Sequence, residues 1–139
     1  GMWNIAGNNG GIKLRPWYYS WSLLCRYFPA SGTIYPVNFN SPTLRGVALE
    51  QKVLDKSNWT FAFINWGDTE IETNFSIPNF KGGDFAKFQL TESSSGDGIS
   101  FSLPKENINI KSLNDGLLIK IPAAGGLIIT SMENSPISK

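Results

Sequence analysis

The 139-residue sequence contains no histidine and a single cysteine. Those two scarcities remove several chemistries at once. A serine or cysteine nucleophile has no imidazole base to take its proton, an intramolecular disulfide cannot form, and zinc lacks its usual donors. No metal and no cofactor is expected. Charge is also sparse: Asp, Glu, Lys and Arg make up 17% of the chain, and 12 basic against 11 acidic residues leave a net charge of +1. The basic residues form no run, so the sequence offers no electrostatic footprint for nucleic acid or an anionic membrane. Long apolar stretches are missing too. The longest late one, residues 116–130, is broken by Lys120 and Pro122 and reads as two strands, not a bilayer span. Gly7-Asn-Asn-Gly-Gly11 is glycine-rich, but no strand is expected before it, so it is not read as a phosphate cradle.

What the chain does have is apolar and aromatic surface. Hydrophobic residues make up 41% of it and aromatics 13%, a bias toward β-rich structure. The length suits one domain, able to bury roughly 70% of the surface that its unfolded form exposes. Gly1-Met2 reads as a remnant of recombinant expression. Residues 3–14 show no period and no secretion-signal pattern, and the span 1–14 is expected to be a lead-in loop.

One helix is expected, over residues 15–29. Pro16 suits the first helical position and Pro29 forces Phe28 out of the α region. Trp17, Trp21, Leu24 and Phe28 fall on one helical face, with Leu23 and Tyr27 as a second stripe beside it, which leaves Ser22, Arg26 and Tyr19 for a polar edge. Cys25, among apolar neighbours, is expected in the core. A helix this short and apolar around most of its girth needs cover on two sides, and one sheet supplies only one. An exposed apolar patch at Trp17, Trp21, Leu24 or Phe28, or its concealment by self-association, is therefore expected of the isolated domain.

From Thr33 onward short β-type runs recur at intervals of about ten residues between turn signals, the pattern of a sandwich or barrel. The expected fold is all-β: an antiparallel sandwich of about eight to ten strands, Greek-key type, over residues 30–132 behind the one N-terminal helix, with a frayed tail at 133–139. Residues 59–65 have apolar side chains on both faces and should form a central strand. Ile71, Phe75 and Ile77 alternate with polar residues, as in a half-exposed strand. Asn114-Asp115-Gly116 is the strongest hairpin signal. A further strand is expected over residues 99–103.

A glycosidase needs two carboxylates facing across a cleft. Glu70 and Glu72 lie on the exposed face of one strand, and Asp55, Asp68, Asp84, Asp97 and Asp115 sit in or beside turns, where Asp caps backbone N–H groups. No catalytic residue is assigned. Among the five tryptophans, Trp66 at a turn is the candidate for stacking on a sugar ring; Trp59, Trp17 and Trp21 are expected to be buried.

The segment Arg15-Pro-Trp-Tyr-Tyr-Ser-Trp-Ser-Leu-Leu-Cys-Arg-Tyr-Phe-Pro29 resembles the last barrel helix of multidomain glycoside hydrolases of the retaining (β/α)8 type, just before their C-terminal β-sandwich. The closing runs Gly116-Leu-Leu-Ile-Lys-Ile-Pro122 and Gly126-Leu-Ile-Ile-Thr130 are similar to that sandwich. The resemblance implies a non-catalytic accessory domain of a glycoside hydrolase, because the barrel strands that carry the catalytic glutamates are not in this sequence. It also implies an upstream catalytic barrel as partner, packed on Trp17, Trp21, Leu24 and Phe28, and a secreted or periplasmic parent. The alternative is a carbohydrate-binding module that tethers an enzyme to polysaccharide.

Overall fold

A computed structural model of the chain describes residues 3–6, 11–94, 103–111 and 113–132, with backbone alone for 3–6 and 11–13. Its elements in order are β1 (Trp3–Ala6), β2 (Gly11–Leu14), α1 (Pro16–Tyr27), β3 (Thr33–Val37), β4 (Leu44–Val53), β5 (Lys56–Asn65), β6 (Ile71–Phe75), β7 (Gly83–Leu90), β8 (Glu106–Ile110), β9 (Leu117–Ile121) and β10 (Gly125–Thr130). The all-β sandwich with one N-terminal helix is what the composition and strand spacing predict. The expected strand over 99–103 lies outside the described residues except for Leu103, which is buried but in no strand. The expected fraying of 133–139 also falls outside them.

Six strands form the main sheet, in the order β3-β4-β5-β10-β7-β8, and β6 and β9 pair separately. All pairings are antiparallel. β10 returns to lie beside β7, the first of the last four strands, so β7 to β10 follow a Greek-key path, with β9 in the opposite layer. The core between the layers is aromatic. Phe75 of β6 meets Phe61 and Phe63 of β5 edge-on, with ring centroids 4.9 and 5.1 Å apart, and Ile119 and Ile121 of β9 pack into the same cluster with Leu127 and Ile129 of β10.

The opposite face of the main sheet carries α1. Tyr19, Leu23 and Tyr27, at i, i+4 and i+8, are buried against Ala86, Phe88 and Ile128, and the Tyr27 ring stacks on Phe88. Both faces of β10 are therefore covered, which explains its unbroken apolar run. The helix begins at Pro16 and ends at Tyr27, its last bond running from the Phe28 N–H to the Leu24 carbonyl at 3.0 Å. Both proline signals set its limits as expected.

Four expectations are corrected. Residues 3–6 and 11–14 are not a loop: they pair as an antiparallel ladder with Trp3 opposite Leu14 and Ile5 opposite Ile12. Two alternating four-residue runs flank a Gly/Asn stretch there, a hairpin pattern that the glycines obscured. Tyr19 is not on a polar edge and Cys25 is not in the core. The sheet takes the Tyr19–Leu23–Tyr27 stripe, which turns Cys25 outward to solvent. Asn114-Asp115-Gly116 joins no hairpin, since β8 pairs with β7 while β9 pairs with β6. Gly116 takes the positive φ of 86° that the turn signal implies, but the turn arches from one layer to the other. Turn residues specify a local bend; strand pairing beyond it is set by which face each strand must bury.

Candidate functional site

The helix buries one stripe and presents the next. Trp17, Trp21 and Leu24 stand out from the domain, while Phe28 is half-buried and packs on the same cluster as Tyr27. The expected four-residue stripe is thus split, because the chain leaves helical geometry at Phe28. Trp17 and Trp21, expected to be buried once the helix is covered on both sides, are exposed here, where the apolar patch of the isolated domain is expected. Ile64 is exposed as well, since α1 covers the β10 and β7 half of the sheet face and leaves the β4 and β5 half open.

Trp66 follows β5 in a turn built by Asn65. The fully buried Asn65 amide donates to the Thr69 carbonyl at 2.8 Å and the Pro122 carbonyl at 3.2 Å, and its Oδ1 accepts from the Gly67 N–H at 2.9 Å. Backbone bonds pin the same turn: Trp66 N–H to the Thr43 carbonyl, and Ala124 N–H to the Gly67 carbonyl at 2.8 Å. The indole, with its backbone fixed, projects outward. The Arg45 guanidinium lies over its ring, 4.5 Å from the centroid, in a cation–π contact, and also donates to the Leu44 carbonyl at 2.6 Å.

Sequence reasoning treats the Trp17 stripe and Trp66 separately, but the fold brings them together. Trp17 and Leu24 from the helix, Ala62 and Ile64 from β5, and Trp66 line one groove of about 580 Å³. Trp17, Trp21, Leu24, Ile64 and Trp66 each keep between 38% and 54% of their surface exposed. Large apolar side chains exposed this close together mark an interaction surface more often than scattered single ones do. Arg45 and Glu92 supply the charge at its margin. Ile64 and Arg45 were not legible as site residues. Their position depends on how much of the sheet the helix covers, and no local pattern encodes that.

Among the described residues, which do not include Asp97, the acidic side chains do not gather. Glu72 pairs with Lys120 at 3.3 Å, Asp84 accepts from the Asn109 amide at 2.6 Å, and Asp55, Asp68, Glu70 and Asp115 are exposed at separate places. Trp59, expected in the core, stacks beside Phe61 but lines a second cleft on the other side of the sheet.

No known protein-family profile matches the chain, and no curated protein sequence matches it. Solved structures do. A family 30 endoxylanase from Clostridium papyrosolvens superposes with a TM-score of 0.58 over 84% of this chain, at 12% identity. A family 30, subfamily 8 xylanase from Clostridium acetobutylicum superposes with a TM-score of 0.66 over 94%, at 13% identity. The chain spans only 28% and 30% of those two enzymes. By fold, then, this chain is similar to a segment of under a third of the length of a family 30 glycoside hydrolase.

Proposed function

We propose that this chain is a non-catalytic C-terminal accessory domain of a glycoside hydrolase, and that it packs against a catalytic barrel and stabilises it. One observation carries the reading: the helix that resembles a last barrel helix holds the sandwich by one stripe and presents Trp17, Trp21 and Leu24, beside Ile64 and Trp66, to the outside. Burying such surface contributes about 25 cal/mol for each Å² removed from water. Within one chain little translational freedom is left to lose, so most of that gain is kept. The fold likeness to a segment of two xylanases supports the same class of parent, and the remaining length of those enzymes leaves room for the barrel.

The experiment is to express the coding sequence preceding this segment with and without it, and to follow thermal unfolding. The expected result is one cooperative transition for the joined protein, at a higher temperature than for the barrel alone. Leu24→Asp and Trp66→Ser should each remove most of that gain. An upstream sequence without a (β/α)8 domain, or a barrel whose melting temperature does not change when this domain is attached, overturns the proposal. The alternative of self-association through the same face predicts a concentration-dependent dimer of the isolated domain that Trp66→Ser returns to monomer.

A further inference from the structure

The two layers of the sandwich are unequal, and the inequality leaves a site. Strands lie about 4.8 Å apart, so the β6–β9 pair shelters only part of the inner face of a six-stranded sheet. The sheltered part is the phenylalanine core. Toward β3 the same face runs out from under the small layer, and the residues that would be core elsewhere change character: Tyr35 of β3, Glu50 of β4, and Ser57 and Trp59 of β5. The connection from β6 to β7 folds down beside them and brings Phe80 edge-on to Trp59, with centroids 5.9 Å apart. The result is a cleft of about 840 Å³, within the range of small-molecule sites.

Its floor is aromatic and held in place. The rings of Tyr35 and Trp59 lie within 29° of parallel, centroids 5.9 Å apart, and Phe61 continues the row into the core. Tyr35, at the outer end, is 42% exposed. Its hydroxyl donates to Glu50 Oε2 at 3.2 Å, and Ser57 donates to Glu50 Oε1 at 2.6 Å, so the ring is braced before any ligand arrives. Around it stand Asn38 and Asn79, which offer amide donors and acceptors, and Asp55 and Lys81, one charge of each sign.

We infer that this cleft binds a neutral oligosaccharide, with one pyranose ring packed on the outward face of Tyr35, which Trp59 backs, and its hydroxyls bonded to the surrounding amides, hydroxyl and carboxylate. The C–H face of a pyranose suits an aromatic floor, and its ring of hydroxyls needs donors and acceptors together, which this margin supplies. Other ligands fit less well. No guanidinium lines the cleft, so the fork that grips phosphate or carboxylate is absent. An extended peptide added to the sheet edge is opposed by Pro36 in β3, which has no N–H for the ladder. The inference does not rest on docking to a barrel. It uses the opposite face of the sheet.

The test is isothermal titration of the full chain with xylohexaose and cellohexaose, and with a fully uronic oligosaccharide as the charged comparison. Saturable binding of at least one neutral chain at sub-millimolar to millimolar concentration is expected. Tyr35→Ala should weaken it at least tenfold, and Tyr35→Phe, which keeps the ring, by no more than about threefold. Leu118→Ser, on the exposed face of β9, should leave it unchanged. Circular dichroism and a urea midpoint near that of the parent chain confirm that Tyr35→Ala folds. No binding of either neutral chain, binding of the uronic chain alone, or loss on Trp66→Ala with retention in Tyr35→Ala overturns the inference. The last result would move the sugar site to the helix side.

Discussion

Asn65 is the residue on which the outward turn of Trp66 depends, and its removal can be worked through. Asn65→Ala deletes four side-chain hydrogen bonds, to the Thr69, Pro122 and Ile121 carbonyls and from the Gly67 N–H, at 2.8, 3.2, 3.5 and 2.9 Å. Each such bond contributes about 1 kcal/mol net, and a buried group left without a partner costs about 1–3 kcal/mol. A loss of roughly 3–4 kcal/mol follows, a large fraction of the about 5–15 kcal/mol that hold an ordinary domain together. With a urea dependence of about 2 kcal/mol per molar, the midpoint should fall by roughly 1.5–2 M. Asn65→Asp separates hydrogen bonding from shape. The introduced carboxyl must face three carbonyl oxygens in a dry site, so its folded pKa rises above the ordinary Asp value of about 3.9. A group with a raised folded pKa contributes its stability below the unfolded value and loses it as pH rises through the folded one. Asn65→Asp should thus approach the parent's stability below about pH 4, where it still donates to a carbonyl, and lose it toward neutrality. A urea midpoint for Asn65→Ala within about 0.5 M of the parent, or an Asn65→Asp deficit independent of pH, would refute the idea that this amide network holds the turn.

Leu23→Ala, at the centre of the helix stripe buried against the sheet, should cost about 2–5 kcal/mol. Hydrogen exchange should show α1 losing protection before the sheet does; equal loss throughout would mean that the helix is not a separate layer. Gly82→Ala should be more damaging than most surface changes. The residue sits at φ 81°, and a Cβ there would strike the Ile110 and Lys111 carbonyls; a lowered melting temperature checks it, and no change would show that the segment can shift. Partial desolvation, and then the Glu50 carboxylate that bonds it and opposes a phenolate, push the Tyr35 hydroxyl above the ordinary tyrosine value. Any stability gained this way is present below about pH 10 and lost as pH rises through the higher folded value. Ultraviolet titration of Tyr35→Phe against the parent isolates this group, and Glu50→Gln should lower its pKa part of the way; an unchanged value would remove Glu50 as a cause.

That Tyr19 joins Leu23 and Tyr27 in the buried stripe of the helix, and that Phe28 turns in with them, was not legible in the sequence. Two stripes of α1 are about equally apolar. The choice between Trp17–Trp21–Leu24 and Tyr19–Leu23–Tyr27 is made by the sheet, where Ala86 and Ile128 leave room beside Phe88 for tyrosine rings. Trp59 shows the same limit. Its strand and its face follow from alternation with Phe61 and Phe63, yet its exposure depends on where the β6–β9 layer stops.

Period and punctuation, being local, determined a great deal: one helix between two prolines, short strands between turns, a globular domain with neither the histidine nor the paired cysteines of many reactive sites. They also determined that the helix has more apolar surface than one sheet can cover. Only the tertiary structure decided that Tyr19 is buried with Leu23 and Tyr27, that Trp66 and Ile64 stand beside the exposed stripe, that Asn-Asp-Gly arches between layers, and that Tyr35 and Trp59 line a cleft. Each of these is a question of what lies opposite a residue across a layer. The partners are tens of residues away in the chain, and no pattern of neighbours carries that information.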